Sequence, residues 1–457
     1  MSPNPLPNPN PLRGRQRTAV AAPLAAAAAM AWLAGPALAT NGMNMEGYGP
    51  ISSGMGGVSQ AVDHGTAAMA QNPATLALMT SPARLDVAVG RLGPRVSSSV
   101  PGMPTADSGG TSYWMPAIGY ARKSGSLTWG LGVFAQGGMG TEYGADSFLA
   151  AGSGRPVRSE LGVGRVLLPL VWQATPELAI GGSVDFVWAN LDLRMAASGA
   201  QLGQMVTGGS GNLYGALPAL GGASWARIDF SNSNDFTGAA KATGWAGKLG
   251  LVWRAAPEVS LGASYQFKTS LGDMKTSRTG ATLSASPDAG SFTDSGRMTV
   301  LDFQWPAMAA LGVAWQATPT VLVGADVKRI EWADVMKSFK MRYDSAGIGG
   351  SVSLALPQHW KNQTVTNVGV AWSANAQLTL RAGVNHADNA IPDLYVNPIF
   401  PATVEDHYTL GLGYAFTPAH ELNVSYAYAP RVKVTSGGGV TITHKQHNVQ
   451  LMYSARF

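Results

Sequence analysis

The chain contains no cysteine, which excludes a disulfide framework and any thiolate metal site. Charge is scarce as well. Asp, Glu, Lys and Arg together make up 12% of the residues, about half the share of an ordinary soluble domain. The excess of basic residues nearly vanishes once Arg13, Arg15 and Arg17 of the N-terminal segment are set aside, so no nucleic-acid footprint is present. Beyond residue 39 no apolar run approaches the roughly 20 residues of a membrane helix. Such a chain can cross a membrane only as a closed β-barrel, because only helices and barrels satisfy the backbone in lipid.

Chemical motifs are missing too. His64, His359, His386, His407, His420, His444 and His447 lack ligand-like spacing. The near pair His444 and His447 falls on opposite faces of a strand, a poor geometry for a metal. No nucleophile elbow occurs. Gly54-Met-Gly56-Gly57 has neither a strand before it nor a Lys-Ser/Thr after it, so it is not a phosphate loop. No metal, no cofactor and no enzymatic activity are expected.

What is present is a phrase repeated six times: an aromatic residue, a short turn often holding proline, then a new alternating apolar run. It reads Trp172-Gln-Ala-Thr-Pro-Glu-Leu178, Trp253-Arg-Ala-Ala-Pro-Glu-Val259 and Trp315-Gln-Ala-Thr-Pro-Thr-Val321. Looser copies begin at Trp372, Phe416 and Tyr120. An aromatic ring at a strand end beside a tight turn suits the inner interface of a transmembrane barrel. Six turns join twelve strands, and one strand at each end makes 14. The predicted fold is therefore all-β, a transmembrane antiparallel β-barrel. The connections alternate short and long, and the long ones at 195–241, 271–296, 333–364 and 389–406 would be extracellular. Residues 297–315 read as one strand.

The two ends agree with the outer membrane of a Gram-negative bacterium. Three arginines, an Ala-rich apolar stretch and Ala37-Leu38-Ala39 make residues 1–39 a cleaved signal peptide. In the last strand Val449, Leu451, Tyr453, Ala455 and Phe457 share one face, opposite Asn448, Gln450, Met452, Ser454 and Arg456. That is a lipid-out, lumen-in strand. Its terminal aromatic resembles the signal read by the barrel-assembly machinery. Outer-membrane lipid is then a partner and nucleic acid is not. Residues 40–82 do not read as strands; they are small and Met-rich, with short helices possible in the second half. Because about eight strands is the limit for a lumen filled by wall side chains alone, the lumen is a channel or is plugged, and 40–82 is the candidate plug. The barrel proper is 83–457.

Across the mature chain the sequence resembles the FadL/TodX family of outer-membrane transporters for long-chain fatty acids and hydrocarbons. The resemblance rests on Gly54-Met-Gly56-Gly57, Asp63, Asn72-Pro73-Ala74 and Gly138-Met-Gly140-Thr-Glu-Tyr143, with Leu380-Arg381, Ile391-Pro392-Asp393 and Asp406-His407 further on. It implies an N-terminal hatch containing Asn72, Pro73 and Ala74, a monomer, and a kink in the third strand that opens the barrel wall sideways. The kink would fall at Gln136-Gly137-Gly138-Met-Gly140, and clustered strand glycines independently predict a bend or bulge. Where family members often carry a second acid after Asp63, this chain has His64.

Met43, Met45, Tyr48 and Met55 either line an adaptable pocket for an apolar ligand or pack the plug against the lumen. Lys248 and Arg381 are candidates for holding a carboxylate, against the alternative of ordinary lumen salt bridges; Asp185, Lys268, Asp326 and Lys328 are also predicted to face inward. Leu202, Met205, Val206, Leu213, Tyr214, Leu217 and Leu220 either capture substrate on an outer loop or pack that loop. The expected function is passive transport of hydrophobic small molecules, fatty acids or hydrocarbons, through a hatch-plugged barrel. The rivals are a general diffusion porin, a lipid-modifying enzyme and an adhesin.

Overall fold

The computed structural model describes residues 41–234, 237–290 and 292–457; the predicted signal peptide lies outside them. Twenty-three strands form one antiparallel sheet. The first eight are β1 (Ala83–Ser99), β2 (Ala106–Asp107), β3 (Tyr113–Ser124), β4 (Leu127–Tyr143), β5 (Val157–Gln173), β6 (Leu178–Ala197), β7 (Val206–Ser210) and β8 (Ala226–Phe230). Next come β9 (Ala240–Ala256), β10 (Val259–Gln266), β11 (Ser270–Leu271), β12 (Met274–Lys275), β13 (Ala281–Ala285), β14 (Phe292–Leu301), β15 (Met308–Thr318) and β16 (Val321–Ile330). The rest are β17 (Ser338–Ser345), β18 (Ser351–Pro357), β19 (Gln363–Ser373), β20 (Leu378–Ala387), β21 (Asp406–Thr417), β22 (His420–Thr435) and β23 (Thr441–Arg456).

The wall closes on itself. Its circuit runs β1–β3–β4–β5–β6–β9–β10–β15–β16–β19–β20–β21–β22–β23. β23 then pairs back to β1 from Arg84↔Arg456 to Ser99↔Thr441. A second run, β6–β8–β13–β14–β17–β18–β7, rises from the wall. The expectation of 14 strands is corrected by these added strands: the sheet has 23 among the described residues. The segments read as loops at 195–241, 271–296 and 333–364 pair with one another as ladders. Pairing between segments so distant in sequence leaves no local turn signal to count.

The strand expected over 297–315 is also corrected. It ends at Leu301, and β15 starts at Met308. Between them Phe303 and Trp305 turn into the protein and are buried. Trp305 packs edge-on against Trp332, and Trp332 against Trp360.

Alternation builds the wall. On β21, Tyr408, Leu410, Leu412, Tyr414 and Phe416 are exposed, while His407, Thr409 and Gly413 are buried. On β23, Val449, Leu451 and Tyr453 are exposed opposite buried Asn448, Gln450, Met452 and Ser454. An apolar outer face with a polar inner one is stable only in lipid. Trp172, Trp253, Trp315 and Phe416 stand exposed beside their turns. No helix among the described residues is long and apolar enough to cross a membrane.

Candidate functional site

Residues 41–82 lie within the circuit of wall strands. They form a short helix, α1 (Gly49–Ser53), and two 3-10 turns, Gly65–Ala70 and Pro73–Leu78. Each piece is tied to a different part of the wall. Asp326 of β16 accepts from Ser59 N at 2.7 Å, Ser59 Oγ at 3.1 Å and Gln60 N at 3.2 Å. Lys328, two residues on and therefore on the same inner face, donates to Gly57 O at 2.9 Å. Asp86 of β1 accepts from Thr66 N and Oγ1. Gln450 of β23 donates to Ser53 Oγ at 2.7 Å.

Asn72 both caps the second 3-10 turn, accepting from Ala74 N at 3.1 Å, and donates to Gln60 O and to Leu251 O of β9. Pro73 opens that turn and Ala74 is buried in it. Inward glycines make room for this backbone. A Cβ on Gly383 would collide with the Met55 and Gly56 backbone, and one on Gly250 with Asn72 Oδ1.

The first residues of the segment, 42–46, border a cavity of about 260 Å3. Its apolar side includes Met43, Leu161, Val163 and Trp188; its polar side includes Glu46, His407, His444 and Gln446. Met45 lines it too, together with Gly137, Gly138 and Gly140.

Those glycines form the expected irregularity. The β4–β5 register shifts between Ala135 and Gly137. Asn44 bridges Gly137, and Gly138 N donates to Met43 O at 3.1 Å. A side chain on Gly137 would strike the Met43 carbonyl, so the close approach needs glycine.

The bulge coincides with a break in the wall. β3 and β4 pair only from Ser124↔Leu127 to Ala117↔Phe134. Beyond that rung, Tyr113–Pro116 pair with β1 and not with β4, and 137–143 pair with β5 and not with β3. The gap closes again where Gly109 N donates to Glu142 O at 2.7 Å. Trp114 and Val133 are exposed on the outer face, yet they line the same cavity as the buried Met43 and His444. The cavity therefore runs through the wall at this window.

The structure does not bring every candidate residue to this cavity. Tyr48 is buried beside it, with its hydroxyl 2.7 Å from Gln136 Nε2, and lines a smaller adjoining space with Met45. Met55 packs with Val58, Ala61, Val62 and Ala314 on another side of the lumen. Lys248 donates to Asp185 Oδ2 at 2.7 Å, which also accepts from Arg165 at 2.9 Å. Arg381 donates to Asn423 Oδ1 at 2.9 Å. Neither cation lines the cavity. Lys268 is exposed, against the expectation that it faces inward. In the outer loop Leu202, Leu213 and Leu220 are buried in the core while Tyr214 is exposed.

Sequence reasoning missed Leu161, Trp188, His407 and His444 as lining residues. No group of three or more metal-binding side chains occurs among the described residues.

A family model described as "Outer membrane protein transport protein (OMPP1/FadL/TodX)" matches residues 24–455. The crystal structure of the Pseudomonas putida toluene transporter TodX is 33% identical, with a TM-score of 0.81, covering 90% of this chain and 99% of that one. The Ralstonia pickettii toluene transporter TbuX is 32% identical, with a TM-score of 0.76 and the same coverage. A Pseudomonas aeruginosa FadL homologue, 16% identical with a TM-score of 0.71 and covering 91% of this chain and 100% of that one, shares the fold. Among curated proteins, an uncharacterized Chlorobium limicola protein is 59% identical over 44 residues, 10% of this chain; the match spans 22% of that relative's length.

Proposed function

The chain belongs to the OMPP1/FadL/TodX family of outer membrane transport proteins, and on that premise we propose that it carries small hydrophobic molecules across the outer membrane. No energy source is invoked; the gradient drives the flow. Substrate enters from the outer side, rests in the cavity above residues 42–46, and leaves sideways into lipid through the window between β3 and β4. The observation that carries this reading is that exposed Trp114 and buried His444 line one continuous cavity. Residues 41–82 act as a hatch that blocks the direct axial route. Monoaromatic hydrocarbons fit the space better than long acyl chains: an apolar cavity of about 150 Å3 holds benzene, and about 260 Å3 leaves room for a substituent. The two relatives titled toluene transporters support the same class.

The test exploits the absence of cysteine. Pro116 and Ala135 would form the next rung after Ala117↔Phe134. Replacing both by cysteine allows a disulfide to staple the window. Expression in a host lacking such a transporter gives saturable toluene uptake that falls on oxidation and returns on reduction. Uptake that is indifferent to the staple refutes lateral exit. Free passage of small sugars without saturable toluene uptake favours a porin.

A further inference from the structure

The inner face of β23 carries a ladder of polar side chains on alternate positions, His444, Gln446, Asn448 and Gln450, of which His444 and Gln446 line the cavity. Gln446 Nε2 donates to Asn448 Oδ1 at 2.9 Å. Asn448 Nδ2 reaches Glu46 Oε2 at 3.5 Å, and Gln450 is bound to Ser53. The lower rungs are thus occupied by residues 41–82.

The top rung is different. His444 Nδ1 lies 3.0 Å from Pro401 O. A carbonyl can only accept, so Nδ1 carries the proton and Nε2 presents a lone pair. That Nε2 is buried and makes no hydrogen bond of good geometry among the described residues, with Gln446 its nearest polar neighbour, and the same holds for Glu46 Oε1 beside Ser53. Both residues line the cavity. A buried acceptor without a donor is costly, and a pure hydrocarbon cannot satisfy it. The same cavity is lined by Met43, Leu161, Val163 and Trp188, which suit a ring.

We propose that the cavity selects a monoaromatic molecule bearing one hydroxyl, a phenol, whose O–H donates to His444 Nε2 while its ring packs against Trp188 and Leu161. This deepens the transport reading and rests on it. A site built to bond a hydroxyl rejects an analogue lacking it more strongly than an apolar pocket rejects an added one.

The test uses the full-length protein in lipid nanodiscs with three probes of similar size: 4-ethylphenol, 4-ethylanisole and ethylbenzene. Binding is read by quenching of tryptophan fluorescence, since Trp114 and Trp188 line the cavity. Wild type binds 4-ethylphenol about tenfold tighter than 4-ethylanisole, which keeps the oxygen but has no donor. His444→Phe removes that preference, so that the phenol and its methyl ether bind alike. Equal affinity for the phenol and its methyl ether in wild type overturns the proposal without recourse to any variant. So does an equal loss of all three ligands in His444→Phe protein that retains the heat-modifiable mobility of a folded barrel. If wild type binds none of the three, the transport reading falls as well; if it binds all three alike, only the phenol selectivity falls.

Discussion

Asp326 ties residues 41–82 to the wall through three hydrogen bonds, and replacing it by alanine tests whether that segment is held by a few buried contacts. The carboxylate is 1% exposed and accepts from Ser59 N, Ser59 Oγ and Gln60 N. Hydrogen bonds to a charged group contribute about 1.5–3 kcal/mol each. Counting only the two from Ser59, at the low end, gives ~3 kcal/mol. The loss also leaves the Lys328 ammonium, itself buried, with its Gly57 contact but without its neighbouring anion. Because local opening is governed by local contacts, ~3 kcal/mol corresponds to roughly a hundredfold larger opening equilibrium.

The assay is hydrogen exchange with mass spectrometry on the peptide spanning 55–62. Exchange there accelerates about a hundredfold in Asp326→Ala, while peptides from β1 and β23 keep wild-type protection. Adding Lys328→Met recovers part of the protection, because the uncompensated cation is gone. Less than about threefold acceleration in the single variant would refute the reasoning: the segment would then be held by its overall fit to the lumen rather than by this carboxylate.

Two further outcomes follow from close contacts and buried charge. Gly383→Leu places a side chain where the Met55 and Gly56 backbone passes, so the barrel still assembles but residues 41–82 are displaced; single-channel conductance rises, and unchanged conductance would show that the segment can yield without opening a path. Burial, then the acids Asp406, Asp388 and Asp393, push the Glu405 carboxyl up to about 8. For an acid raised in the folded state, stability is fully present below the unfolded value and is lost as pH rises toward the folded one. Exchange protection of the outer loop around 396–405 therefore declines from about pH 5 to pH 8, and Glu405→Gln flattens that decline.

Much of the wall was legible because a strand's period is local. Val449, Leu451 and Tyr453 announce their face to any reader who counts by two, and each Trp beside a Pro turn marks one end of a hairpin. The bulge at Gly137 was legible because glycines clustered in a strand have few other uses. The long connections were not. The ladder of β7 on β18 joins Ser210 to Ser351, and nothing near either residue names the other.

The cavity was legible only in part. Met43 and Met45 stood out by composition, but which lumen residues stay uncovered depends on where residues 41–82 run. Asp326, one of several inward charges by register, became a clamp because Ser59 and Gln60 happen to pass it. Lys248 and Arg381 were equally good ligands on paper, yet both are taken up by Asp185 and Asn423. His444 looked like a failed metal ligand until Pro401 settled its tautomer.

By itself the amino-acid sequence determined an outer-membrane β-barrel with its family, its lipid-facing side and its bulge, because alternation, turn chemistry and glycine preference all act over a few neighbouring residues. The tertiary structure alone decided the strands added beyond the wall and the meeting of Met43, Trp188 and His444 around one cavity. Those depend on contacts between residues tens to hundreds of positions apart, which no local pattern encodes.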